Sequence, residues 1–167
     1  MLTIRPATRG DVSTIFRLVR ELATFERAPD SVVATEEDFL RHGFGDRASF
    51  RTLLVEWDGV VAGFALYFFG FSTWTGAPFL HLEDLFVQPT HRRRGLGLAL
   101  MQALAKEARA AGCKRFVWNV LDWNAPAIRF YESLGATVLR EWLPVRLDGT
   151  ALEQLATAGD DASHAMG

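Results

Sequence analysis

The spacing of apolar positions changes several times along the chain, and each change marks an element. "LTIR" (2–5) reads as a short first strand. Val12, Ile15, Phe16, Val19 and Leu22 then recur at helical spacing, behind a capping box made by Thr8 and Asp11. A second box, Thr35 with Asp38, opens a short helix that Gly43 or Gly45 stops. "FRTLLVEW" and "VVAGFALYFFGF" flank Asp58-Gly59, a strong signal for a tight hairpin. The second run is too short to span a bilayer, and its β-branched and aromatic content fits a buried strand. "FLHLEDLFV" is a further strand. Leu100, Met101, Leu104, Ala105 and Ala108 form a stripe on a helix predicted from Gly95 to Ala111, with Gly112 at its end. "KRFVWNVL" follows as a strand. Asn124 caps another helix, with Pro126 in its first turn and Gly135 past its end. "TVLREW" and "PVRL" read as closing strands.

The predicted order is β-α-α-β-β-β-α-β-α-β. The strand–helix–strand unit from Leu80 to Leu121 is a crossover and requires a parallel pair, whereas the hairpin before it requires antiparallel neighbours. The expected fold class is therefore α/β, a mixed sheet with helices on both faces, in one domain over residues 1–158. The small, polar residues 159–167 are expected to form a loose tail.

Composition narrows the function. The chain has 167 residues, 49% of them hydrophobic, a net charge of −2 and a sequence pI of about 6.1. A nucleic-acid binder is normally basic. The single cysteine, Cys113, allows no internal disulfide and suits a reducing cytoplasm, the expected location. "MLTIRPATRGD" has no basic segment followed by a long apolar run, so no signal peptide is expected. Nor do metal ligands occur at diagnostic spacing, and no metal is expected.

Against this acidic background stands "VQPTHRRRGLGLALM" (87–101), three arginines and two glycines between a strand and a helix. A helix N-terminus carries unpaired N–H groups and partial positive charge, and glycines let a phosphate approach that backbone. The local physics favours an anion, most simply a pyrophosphate. A Walker loop needs Gly-Lys-Ser/Thr, which is absent, and the dinucleotide fingerprint needs a glycine where Leu100 stands. A nucleic-acid face would have to extend along the helix, but there Glu107 lies between Lys106 and Arg109. What Arg92-Arg93-Arg94-Gly95-Leu96-Gly97 fits is Q/R-x-x-G-x-G/A.

That pattern, with "NAPAIRFYESLGA" after the next strand, resembles the coenzyme A pyrophosphate loop and the following helix of the GNAT acetyltransferase superfamily. "IRPATRGD", "LATFE", "FGDRASF", "GFALYFF", "LHLEDLFV" and "WNAPAIRFYESLGA" resemble, in order and spacing, the diamine (spermidine/spermine) N-acetyltransferase family, which includes thialysine-type members. The resemblance implies direct transfer of an acetyl group from acetyl-CoA to a primary amine in a ternary complex. It implies that Tyr131 protonates the departing thiolate and that Glu83 attracts the ammonium and accepts its proton, directly or through water. Leu85, Phe86 and Val87 would pair with the pantetheine arm. Arg92, Arg93, Arg94, Gly95, Leu96, Gly97 and Leu98 would hold the pyrophosphate, and Asn124 would touch the pantetheine. Phe25, Glu26 and Trp74 would line the amine site, and Glu141 lies near another family carboxylate. A homodimer is implied, with no nucleic-acid or membrane partner. Polyamine-preferring members usually carry tyrosine where Phe25 stands.

The residues carry part of this themselves. Leu80 and Leu82 share one parity, Leu85 and Val87 the other, so Glu83 and Asp84 sit at a parity switch that predicts a β-bulge. Asp84 reads as structural, His81 as a strand histidine, and Trp123 as packing. Cys113, at a helix end, is not expected to carry an acyl group. A protein or peptide N-acetyltransferase and a non-catalytic acyl-CoA sensor are the alternative functions.

Overall fold

The structure, a computed structural model, describes residues 1–158. The proposed tail at 159–167 lies outside the described residues. The chain parts into two compact units, Met1–Asn119 and Val120 onward.

In the first unit, five strands form one sheet in the order β1 (Leu2–Pro6), β2 (Arg51–Trp57), β3 (Val60–Ser72), β4 (Ala77–Val87) and β5 (Arg115–Trp118). The first three pairings are antiparallel, and β4–β5 is parallel, as the crossover requires. Between β2 and β3, Asp58 (φ 51°) and Gly59 (φ 79°) both adopt positive φ, the conformation of a two-residue hairpin turn whose twist matches its strands.

Strand parity sorts the core into two faces. Leu54, Phe64, Leu66 and Phe86 point to one face, where Ile15, Leu18 and Leu22 of α1 (Val12–Phe25) bury against them. Phe39 and Phe44 of α2 (Glu36–Phe44) complete that cluster. Residues of the other parity, Leu53, Val55, Ala65 and Tyr67, are also buried. That face belongs to α3 (Leu96–Ala110), because the Tyr67 hydroxyl donates to Glu107 of α3 at 3.5 Å. Leu96, Leu100, Met101, Leu104 and Ala108 of α3 are buried, whereas Ala105 is exposed and lies outside the expected stripe. The mixed sheet with helices on both faces is thus as expected.

Both capping boxes form. Thr35–Asp38 opens α2, and Thr8–Asp11 caps a single 3₁₀ turn (Arg9–Asp11) that leads into α1. Arg5 fixes that corner, donating two bonds of 2.8 Å to Asp11 and one of 2.7 Å to Glu56. The guanidinium holds the Asp11 carboxyl well below the usual carboxylate range.

In the second unit, Asn124 caps α4 (Ala125–Ser133) by accepting from the Ala127 N–H at 3.4 Å, and Gly135 follows the helix at φ 88°. The expected closing strands do not form. Residues 136–148 are irregular, and α5 (Gly149–Thr157) comes next, behind Asp148 as its N-cap. The order after α3 is therefore β-α-α. A strand needs a ladder partner. Among the described residues no strand accompanies "TVLREW" or "PVRL", and their alternation buries nothing, with Leu143 81% and Val145 94% exposed.

Candidate active site

The turn from β4 into α3 is built around Gly95, the N-cap of α3, which sits in the left-handed region at φ 78°. A Cβ there would meet no atom within 4 Å, so the space before the backbone is open. The first helical bond of α3 runs from the Ala99 N–H to the Gly95 carbonyl. The N–H groups of Leu96, Gly97 and Leu98 thus have no acceptor within the helix and crown its positive end. The Leu96 side chain is 1% exposed, so what it offers a ligand is its backbone. These donors suit a diphosphate. Gly95→Ala is expected to cost about 1–2 kcal/mol of stability, because an L-residue at that φ is strained. Denaturant unfolding would show the loss.

The three arginines separate. The Arg92 Nε donates to the Val87 carbonyl at 3.0 Å, and its guanidinium lies 4.7 Å from the Phe25 ring centre and 5.8 Å from that of Phe86. Arg92 therefore straps the end of α1 to the end of β4, and burial lowers its basicity. Arg94 lies over Trp57 at 5.2 Å. Arg93, at φ 61°, makes no ion pair among the described residues. All three are expected at the phosphates; Arg92 and Arg94 also lie over aromatic rings distant in the chain.

The bulge is present. Leu66 pairs with Asp84 while the next residue of β3, Tyr67, pairs with Leu82, leaving Glu83 as the inserted residue. The inserted residue switches the parity of β4. Before it, His81 stands opposite Phe68 on the α1 face; after it, Asp84 opposes Leu66 on that same face. The bulge thereby brings His81, Glu83 and Asp84 to one side. β5 pairs only with Phe79–Leu82, so β4 from Glu83 to Val87 has a ladder partner on the β3 side alone among the described residues. That is an open backbone edge running from the carboxylates to the cradle, about 13 Å for four residues of strand.

Asp84, read from sequence as structural, is the perturbed group of this face. Burial first, then the charges of Glu83 and Glu26, push its carboxyl up to about 6. It has no hydrogen bond or ion pair among the described residues. Glu26 is the C-cap of α1, at the negative end of that helix, and burial raises its carboxyl too. Phe25 is the last residue of α1. The Glu83 side chain is 56% exposed, with its carboxylate 3.6 Å from His81 Nε2. Three carboxyls converge and, among the described residues, none is ion-paired to a lysine or arginine, which suits a cationic ligand.

The other proposed site residues are placed as follows. Trp74 lies in the turn between β3 and β4 and is 80% exposed. In the second unit, Tyr131 is half-buried on α4, its ring 5.4 Å from that of Phe130, and Glu141 lies in the irregular stretch, exposed. Cys113 follows the C-terminus of α3, about 20 Å of helix away from the cradle, and burial pushes its thiol up, away from the nucleophilic thiolate. Among the described residues no three His, Cys, Asp or Glu side chains are grouped to hold a metal ion, and no helix is long and apolar enough to cross a membrane.

Comparison with known proteins shows the family. The profile of the Acetyltransferase (GNAT) family matches residues 14–136. A thialysine N-epsilon-acetyltransferase of Sus scrofa is 38% identical over 164 residues, covering 92% of this chain and 96% of its own. An L-ornithine N5-acetyltransferase of Arabidopsis thaliana is 32% identical, covering 91% and 86%. Among solved structures, an integron cassette protein from the mobile metagenome of V. cholerae superposes with a TM-score of 0.77 at 26% identity, over 93% of this chain and 97% of that one. The family match spans both the strand–cradle turn and the Asn124–Tyr131 helix, and the chain belongs to the GNAT acetyltransferase family as an acetyltransferase.

Proposed function

We propose that a single domain over residues 1–158 moves the acetyl group of acetyl-CoA directly to the primary amine of a small lysine-like or polyamine substrate, within a ternary complex. One observation carries the reading: three carboxyls with no lysine or arginine ion pair among the described residues (Glu26, Glu83 and Asp84) lie by one end of an open strand edge whose other end enters an anion cradle. The cradle takes the diphosphate. The edge at Leu85, Phe86 and Val87 takes the pantetheine arm, and the carboxyls draw in the ammonium; a pantetheine contact of Asn124 rests on the motif around it alone.

The amine is protonated at neutral pH and must lose a proton before it attacks. Glu83, exposed on the bulge, accepts it. Tyr131 gives a proton to the departing thiolate, a role that rests on the motif around it. The distant, weakly acidic Cys113 thiol supports direct transfer over an acyl-enzyme. The homodimer stays with this reading as part of the family resemblance, and the cytoplasmic location rests on the single cysteine.

Within the amine class, lysine-like substrates are favoured. The guanidinium of Arg92 already occupies the Phe25 ring, placing a fixed cation beside the amine site. A second or third ammonium of a long polyamine would meet that charge, whereas the carboxylate of an amino acid would not be repelled. The thialysine and ornithine relatives support the same preference. A thiol-release screen across thialysine, lysine, ornithine, putrescine, spermidine, spermine and short peptides is expected to give the amino acids at least tenfold higher kcat/KM than spermine. Amine-independent thiol release, or peptides as the best substrates, would overturn the proposal.

A further inference from the structure

His81 is the titratable group of the carboxylate face that the mechanism above leaves unused. Its ring is stacked on Phe68, with centroids 4.8 Å apart and planes 20° from parallel, so its orientation is fixed. Its Nε2 lies 3.6 Å from a Glu83 carboxylate oxygen. Its side chain is 22% exposed, enough to reach water. The bulge creates this juxtaposition. In a regular strand, Asp84 would face away from His81; the inserted Glu83 keeps all three on one side.

We propose that His81 is a positioning and proton-relay residue that works through Glu83 in the acetyl transfer. The inference rests on reading Glu83 as the proton acceptor. The substrate N–H bond breaks as an O–H bond forms on Glu83. That O–H breaks as an N–H forms on His81 Nε2, which restores the carboxylate. The imidazolium then releases the same proton to solvent, and no proton or electron pair is left over. While charged, the ring also holds the Glu83 carboxylate in place, and Phe68 holds the ring.

The surrounding charges are few and defined. On β4 they are Glu83 and Asp84. β3 presents Phe68 and Leu66, neither charged. β5 sets Val117 beside His81 and Arg115 two pairs further along. From the α1 end come Glu26, which acts on Asp84, and Arg92 above Phe25.

The test is the pH profile of kcat/KM for the amine at saturating acetyl-CoA in wild type, His81→Phe, His81→Gln, Glu83→Gln and the Glu83→Gln/His81→Phe double variant. Phenylalanine keeps the stack on Phe68 and removes the proton carrier; glutamine keeps polarity without titration. Both single histidine variants are expected to lose on the order of tenfold at neutral pH. They should also change the shape of the pH profile, with unchanged acetyl-CoA affinity and thermal unfolding. Adding His81→Phe to Glu83→Gln should cost less than about twofold, because the relay is already cut. Unaltered profiles in the histidine variants, or losses that multiply in the double variant, would overturn the role of His81. Wild-type turnover in Glu83→Gln would instead remove Glu83 as acceptor, and the two failures are distinguishable.

Discussion

Asp84→Asn is expected to make the protein more stable relative to wild type as pH rises from about 4 to about 7, by up to roughly 3 kcal/mol across that window. The sign follows from linkage. In the unfolded chain an aspartate releases its proton near pH 3.9; in the fold, burial and the Glu83 and Glu26 charges delay release to about pH 6. Between those values the native state binds more protons than the unfolded state, so wild-type stability falls as pH rises, and the penalty is complete above about pH 6–7. Asparagine does not titrate and escapes it. Burying an amide without partners adds a constant cost that shifts both ends of the comparison equally. The slope is therefore the readout: denaturant unfolding of both proteins at several pH values between 4 and 7.5. A gap between them that does not grow with pH would mean that Asp84 is not held above its ordinary range. The chain tolerates this penalty at a site where an ammonium would relieve it, so a saturating amine should narrow the gap.

The fold was legible wherever local chemistry decides it. The hairpin announced itself in Asp58-Gly59, the helix starts in two capping boxes, and α3 in its apolar stripe and the flanking Gly95 and Gly112. The bulge could also be read, because an inserted residue must break the period of two, and the leucines on either side of Glu83-Asp84 record that break. What failed was pairing. "TVLREW" and "PVRL" alternate as well as any edge strand, but alternation says only that a segment suits a sheet, not that a neighbour is present. Asp148 instead stands at the N-cap position of α5, without a side-chain cap bond, and Leu152 and Leu155 follow at helical spacing, a pattern that the reading as closing strands passed over.

The site was legible in its residue types and less so in their division of labour. Glu83 and the Gly95 turn stand where the motifs put them. Arg92 is different, because its ties to Phe25, Phe86 and the Val87 carbonyl join parts of the chain that lie far apart in sequence. The raised carboxyl of Asp84 and the stacking of His81 on Phe68 could not be read in the sequence, for one reason. Burial, like-charge neighbours and ring stacking are tertiary quantities, and a strand sequence gives only the parity on which they depend.

Tyr131→Phe is expected to slow acetyl transfer by about 10²–10³-fold, within the range that removal of a general acid produces. The phenyl ring preserves the half-buried packing on α4 and the neighbouring Phe130 contact, so the fold should persist. The loss should fall on kcat and kcat/KM together, with near-normal acetyl-CoA affinity, because the hydroxyl is needed only as the thiolate departs. Leaving-group chemistry offers a second reading of the same role. A donor whose thiolate is intrinsically stable needs no acid, so an activated aryl thioester should be processed by the variant with much less than the full defect. A uniform defect across donors would make Tyr131 a binding or packing residue. Unchanged turnover with acetyl-CoA would take it out of the reaction, leaving water or another group of the chain to protonate the sulfur.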